Sequence, residues 1–150
     1  MITKQKNIIT ITIDDEELQD YYNYYFRKYP KRRKKYVDKP VPPSLNVWTP
    51  MKRMQKNELK QHWNNFMVWL IQKYEIDNMK IQRCNITYIY TFPTKHRRDT
   101  DNYTPKFIND GLVNSGFLQD DSYFNIEVSK FLGKYEKGVY QTDIIVEILE

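Results

Sequence analysis

Five aspartates stand between positions 99 and 121: Asp99, Asp101, Asp110, Asp120 and Asp121. Helix dipoles and strand surfaces do not account for them. Asp99 and Asp101 lie two apart just past a predicted strand end, so an extended backbone there would point both carboxylates the same way. Asp120 and Asp121 lie just before the next predicted strand. Lys106 and Asp110 are four apart on a short predicted helix and share one face. Carboxylates that converge without imidazole or thiolate make a hard oxygen site, suited to Mg²⁺ or Mn²⁺ and not to zinc. Such an ion polarises a phosphoryl oxygen, generates hydroxide and stabilises a leaving oxygen. Lys106 either balances charge in that transition state or simply pairs with Asp110. Lys95, Arg97 and Arg98 beside the acids would draw phosphates toward a cluster that otherwise repels them. Asp-Asn and Asp-Asp are also ordinary turn residues. The weight rests on the set, two acid pairs at strand ends joined by a helix that carries a lysine.

The two acid loops meet if the strands over 82–92 and 122–132 end and start at the same sheet edge. The first of these reads as a half-buried strand, with Cys84, Ile86, Tyr88, Tyr90 and Phe92 on one face and Asn85, Thr87 and Thr91 on the other. Cys84 is then a packed thiol. Pro93 ends the strand. Thr104 is expected to cap a helix opened by Pro105 and closed by Gly111 or Gly116. Phe124, Ile126 and Val128 alternate as a third strand. A turn over 133–138 leads to a fourth strand carrying Tyr140, Thr142, Ile144, Val146 and Ile148, and this pair is expected to form an antiparallel hairpin.

Upstream, Ile8–Ile13 is β-branched and predicts the first strand. Leu18, Tyr21, Tyr22, Tyr25 and Phe26 recur at helical spacing over about 15–28, with acids in the first turn and bases in the last. That spacing assigns the tyrosines to packing. Residues 44–48 are expected to be extended. Asn57 is expected to cap a long helix bearing Leu59, Trp63, Phe66, Met67, Leu70 and Tyr74, with His62 at the edge of its apolar stripe. The fold class expected is α+β: one mixed sheet of about four strands with helices on one face, in a single domain over 1–150.

The chain has 150 residues and a net charge of +5. The charge is uneven. Residues 27–39 hold Arg27, Lys28, Lys31, Arg32, Arg33, Lys34, Lys35 and Lys39 against Asp38 alone, so this segment is +7 and the remainder −2. A basic, proline-bearing loop on a near-neutral body is either an electrostatic footprint for a polyanion or a solvated linker. Its distance in sequence from the acids places it outside the catalytic centre. The 15% aromatic content argues against disorder. One cysteine excludes an intrachain disulfide, and two histidines supply little for a Cys/His metal site. No apolar run approaches a membrane span or a signal peptide, so a reducing intracellular setting without membrane contact is expected.

The stretch RRDTDNYTPKFINDGLVNSGFLQDD, residues 97 to 121, resembles the RusA family of Holliday junction resolvases, nucleases common in prophages. The family pattern of Asp-x-Asp-Asn, a lysine, an aspartate four residues on, a glycine-bearing turn and an Asp-Asp pair is matched by Asp99, Asp101, Asn102, Lys106, Asp110, Gly116, Asp120 and Asp121. PPSLNVW at 42 to 48 resembles the family's Pro-Pro-Ser-x-Asn segment, which precedes a long helix, and the two terminal strands fit as well. The lysine comes one residue later than the commonest family spacing, and 14–41 looks like an insertion.

The resemblance implies a Mg²⁺-dependent endodeoxyribonuclease, with Mn²⁺ as a substitute, that resolves Holliday junctions and related branched DNA by paired symmetric nicks. Asp99, Asp101 and Asp121 would be catalytic metal ligands with Asp120 beside them. Lys106 would be the catalytic lysine, and Asn102 and Asp110 would support the site. Lys31, Arg32, Arg33, Lys34, Lys35, Lys95, Arg97 and Arg98 would contact DNA. The protein would be a homodimer acting in a bacterial or phage-infected cytoplasm, on DNA and without a small-molecule cofactor, since a two-fold enzyme matches a pseudo-two-fold junction. The alternative is a junction or duplex binder of the same fold that does not cleave.

Overall fold

The computed structural model describes residues 1–149. The elements run β1 (Ile2–Gln5), β2 (Ile8–Ile13), α1 (Asp15–Lys28), α2 (Leu45–Trp48), α3 (Arg53–Lys73), β3 (Cys84–Phe92), α4 (Lys106–Asn114), β4 (Ile126–Tyr135) and β5 (Gln141–Ile148), with a 3₁₀ turn at Thr100–Asn102. The fold is α+β, built on one mixed sheet of five strands in the order β1-β2-β5-β3-β4.

Three features of that sheet depart from expectation. It gains β1, which pairs antiparallel with β2 across a tight turn where Lys6 takes φ 53°. The last two strands also do not form a hairpin. β5 inserts between β2 and β3, antiparallel to both, while β4 pairs only with β3, and in parallel. β4 is also shifted along the chain from the expected 122–132, starting only at Ile126, beyond Phe124, and running through Gly133 to Tyr135. A parallel partner must be reached by a crossover. Residues 93–125, with α4 at their centre, supply it.

The helices lie over one face of the sheet. Ile9, Ile11 and Ile13 of β2, Cys84, Ile86, Tyr88 and Tyr90 of β3, and Ile144 and Val146 of β5 are buried beneath them. The alternation read from the sequence holds from Cys84 to Tyr90 and fails at Thr91, expected on the other face but buried. Cys84 is fully buried, its thiol pushed up to about 11 by burial and then by the charge of Glu127. On the opposite face Ile8, Val128 and Leu132 are exposed.

α1 follows its predicted bounds. Asp14 is the N-cap and accepts from the Glu17 backbone N–H at 2.9 Å. Tyr21, Tyr22 and Tyr25 are buried, with Tyr21 set edge-on against Phe66 of α3 at 5.2 Å. Glu17 is buried too. Its carboxylate meets Lys73 of α3 and the Met1 amine. Burial alone would raise its pKa, but the bonds to these partners outweigh that and hold it below the ordinary value.

α3 begins at Arg53, not after Asn57. Gln55 reaches back to the Lys52 backbone N–H at 3.4 Å, so the first turn forms without a conventional capping side chain. Trp63, Phe66, Met67, Leu70 and Ile71 form its buried stripe. Residues 45–48 are a short helix instead of the expected extended piece, because Ser44 O accepts from the N–H groups of Val47 and Trp48. α4 has Pro105 at its N-cap, with no side-chain cap from Thr104. It ends at Ser115, before Gly116 at φ +83°.

Candidate functional site

The acid-bearing chain leaves the end of β3 at Pro93 and doubles back over the sheet. Arg98 holds the bend. Its guanidinium donates to Thr94 O at 3.0 Å, Thr94 Oγ1 at 3.0 Å and His96 O at 3.2 Å, and lies 4.4 Å from the Phe92 ring centroid. Tyr103 then stacks on Phe131 of β4 with ring planes 4° apart. By Thr104 the chain has returned to the Tyr90 hydroxyl, which donates to Thr104 O at 3.4 Å. One turn into α4, Asn109 Oδ1 accepts from the Tyr88 hydroxyl at 2.5 Å.

Because β3 and β4 are parallel, the end of one and the start of the other lie at opposite ends of the sheet. The premise that both acid loops sit at one sheet edge is therefore corrected. The loop that carries Asp99 and Asp101 leads into the start of α4, while Asp120 and Asp121 follow its far end. Asp99 is 59% exposed and accepts from Arg97 Nε at 3.1 Å, and Arg97 itself is 90% exposed. Asp101 is exposed in the 3₁₀ turn. Lys106 Nζ lies 3.4 Å from Asp110 Oδ2, so the two share a helix face as their spacing predicted. Asp120 Oδ1 accepts from the Asp121 backbone N–H at 2.8 Å.

Asp110 and Asp121 come together, lining one open cavity of about 390 Å³ against the polar face of α3. That face supplies Asn57, Lys60, Gln61 and Asn64, and Asn114 donates to Asn64 Oδ1 at 2.6 Å. Sequence reasoning missed these residues. Their spacing of three, one and three marks a polar stripe flanking the buried one, but nothing local said which loop it would face. Tyr123 and Phe124, just past Asp121, were also missed as a surface feature. They are 78% and 70% exposed and stack on each other at 4.3 Å.

Asn102 proves to be a structural link. Its Oδ1 accepts from the Asn46 backbone N–H at 3.0 Å, tying the acid loop to the start of α2. The two halves of the family-like pattern, 56 positions apart, thus touch each other.

Lys31, Arg32, Arg33, Lys34 and Lys35 are all exposed, and among the described residues none pairs with a carboxylate. Arg32 donates to the Tyr25 hydroxyl at 3.0 Å, and Lys34 lies 4.6 Å from the Tyr36 ring centroid. Tyr36 in turn stacks on His62 at 3.6 Å. Burial first, then the charge of Arg32, lowers the His62 pKa, so this ring is a neutral packing partner. The basic loop does not lie apart from the acids. Lys34, Lys35 and Lys39 line a cavity together with Arg98 and Tyr103, the neighbours of Asp99 and Asp101. Lys95 is exposed, 5.1 Å from the Tyr135 ring centroid, while Arg98 is committed to holding its own loop.

The donor chemistry of Asp99, Asp101, Asp120 and Asp121 is all oxygen, which fits a hard divalent ion. Among the described residues no three or more His, Cys, Asp or Glu side chains are grouped so that they could hold a metal ion. No described helix is long and apolar enough to cross a membrane. No protein-family model matches the chain, and no curated protein matches it.

Proposed function

We propose that this chain is a RusA-like, metal-dependent endodeoxyribonuclease acting on four-way and other branched DNA. The observation that carries the reading is the Asn102–Asn46 contact. It joins the Asp99-x-Asp101-Asn102 loop to the segment that follows Pro42-Pro43-Ser44, so the two pieces of the family-like pattern lie against each other, which supports their serving one site. The loop, Lys106 and Asp110 then follow one another along the start of α4, with Asp121 beside Asp110 at the shared cavity.

Asp99, Asp101, Asp120 and Asp121 would hold a Mg²⁺ ion, with Mn²⁺ as a substitute, only once the two acid loops are drawn together, since among the described residues they form no such group. When bound, such an ion supplies Lewis acidity to a phosphoryl oxygen and lowers the pKa of water. The rest falls to the chain's own groups. Asp99 leaves its pair with Arg97, which frees that guanidinium for a phosphate. Lys106, half-exposed and held loosely by Asp110, presents a cation at the same surface for charge that develops on the phosphoryl oxygens. Lys95 and the 31–35 loop bind the DNA backbone on either side. A homodimer would set two such sites on one junction, and the exposed Ile8, Val128 and Leu132 of the open sheet face are apolar surface available to it.

The second reading, a junction binder without cleavage, is favoured by the Arg97–Asp99 and Lys106–Asp110 pairs, which occupy acids in internal contacts. One experiment separates the two. Wild type and the variants Asp99→Asn, Asp101→Asn and Asp121→Asn are incubated with a synthetic four-way junction in Mg²⁺, and nicks and binding are measured in parallel. The nuclease reading expects symmetric nicks from wild type, none in excess EDTA, and none from the variants, which still bind. Wild-type binding without nicks under Mg²⁺ or Mn²⁺ leaves the binder.

A further inference from the structure

The basic loop and the acid loop enclose a cavity of about 560 Å³ that the cleavage chemistry does not use. Its size falls within the range of small-ligand sites. Trp63, Phe92, Tyr103 and Tyr140 contribute aromatic wall, and Lys34, Lys35 and Lys39 contribute three cations, beside Arg98 whose guanidinium is engaged by its own loop, against the carboxylates of Asp38 and Glu58. Aromatic rings and cations interleave around it. Lys39 Nζ is 5.1 Å from the Tyr140 ring centroid, and the Arg98 guanidinium is 4.4 Å from that of Phe92.

The wall is built, not draped. Val37 N–H donates to the Tyr22 hydroxyl at 2.8 Å, Thr142 Oγ1 donates to Pro40 O at 2.6 Å, and Tyr36 stacks on His62. These contacts fasten the loop to α1, β5 and α3, so the cavity exists before any ligand arrives.

Aromatic surface with cations at its edge suits a flat, π-bearing group that carries an anion. A nucleotide has both parts, with a base to stack and a phosphate to pair. A paired duplex cannot enter, because its bases are stacked inside and only its phosphates face outward. We propose that this cavity receives an unpaired nucleotide of a DNA strand, as found where a branched molecule opens at its centre. The proposal rests on the DNA reading above and specifies which part of the substrate this chain grips beside the acid loop. The basic loop is then one wall of a nucleotide site as well as a backbone contact.

The test uses binding in EDTA, so cleavage plays no part. Anisotropy titrations compare a short dye-labelled oligothymidine with a blunt duplex of the same length, for wild type, Tyr140→Leu and Lys39→Ala. Tyr140→Leu removes a ring while keeping apolar bulk, and Lys39→Ala alters an exposed side chain that folding does not need. Removing one stacking partner should weaken oligothymidine binding about tenfold and leave duplex binding within about twofold. Lys39→Ala should weaken oligothymidine binding more than duplex binding. Thermal melts identify any variant that fails to fold, and Lys39→Ala then carries the decision. Equal weakening of both DNAs, or wild-type affinity for oligothymidine in both variants, overturns the proposal. The same proteins are assayed on a four-way junction in Mg²⁺. Selective loss of oligothymidine binding in a protein that never nicks retires the nuclease reading alone, whereas nicking by a protein whose oligothymidine affinity ignores Tyr140 and Lys39 retires the cavity alone.

Discussion

Gly111 sits where α4 crosses α3, one residue past Asp110. A Cβ built there would lie 2.3 Å from Met67 Cβ and 2.8 Å from Met67 Cγ. Ordinary contact between two such carbons begins near 3.4 Å, so Gly111→Ala forces the helices apart by about 1 Å. Such overpacking costs about 2–3 kcal/mol. The alanine returns about 1 kcal/mol of helix propensity, which leaves a net destabilisation of about 1–2 kcal/mol. For a chain of this length that lowers Tm by about 2–8 °C, measured by circular dichroism melts. Because the closest atom is Met67 Cβ, shortening the partner to alanine removes only the lesser clash. Met67→Ala should therefore fail to rescue Gly111→Ala, and the double variant should be less stable still, because the fully buried Met67 side chain is lost as well. The displacement also shifts Lys106 and Asp110, so on the nuclease reading proposed above junction cleavage should fall further than stability explains at a temperature where the variant is fully folded. A Tm at or above wild type, or full rescue by Met67→Ala, would refute the packing argument.

Glu17→Gln breaks the buried contact to Lys73 and should destabilise by about 1.5–3 kcal/mol. Since folding lowers the Glu17 pKa from 4.5, its contribution is present above that value and lost as pH falls through the folded value. The Tm gap between wild type and Glu17→Gln should hold steady at neutral pH and narrow below about pH 4.5; a gap that widens in acid would contradict the assignment. Neutralising Lys31, Arg32, Arg33, Lys34 and Lys35 should flatten the slope of log K against log salt by about 0.9 for each phosphate the loop no longer engages, roughly 2–4 in all, on junction and duplex alike. An unchanged slope, read with a catalytically dead protein, would make the loop a linker. Lys106→Ala should lower junction turnover more than affinity if the amine acts on the transition state. Near-normal turnover with a slightly lower Tm would mark it as a partner of Asp110 only.

Much of the local structure was legible because it follows from local spacing. Alternation in 84–92 and 141–148 identified two strands and their buried faces, and the tyrosines at 21, 22 and 25 identified the inner face of α1. The i, i+4 relation of Lys106 and Asp110 needed only helix geometry to become a contact. Elements governed by backbone turns were misread. The start of α3 at Arg53 depends on a Gln55 side chain reaching back to Lys52, and the 45–48 turn depends on two bonds to Ser44 O, neither of which leaves a periodic trace.

Residue types and spacing by themselves determined an α+β chain with acids before and after a lysine-bearing helix, and a basic loop of unstated position. Only the tertiary structure decided the rest. Strand order is a contest among distant edges: β5 pairs with β2, from Ile8 against Glu147 to Ile13 against Thr142, and with β3, although β4 is next to it in sequence. That choice makes β3 and β4 parallel, sends α4 across the sheet between the acid pairs, and brings Asp121 to the polar face of α3. It also sets Lys34, Lys35 and Lys39 beside Arg98, Tyr103 and Tyr140. No residue in those three segments encodes its distance from the others, because such proximity arises only when burial of the strands' apolar faces selects one packing of the whole chain.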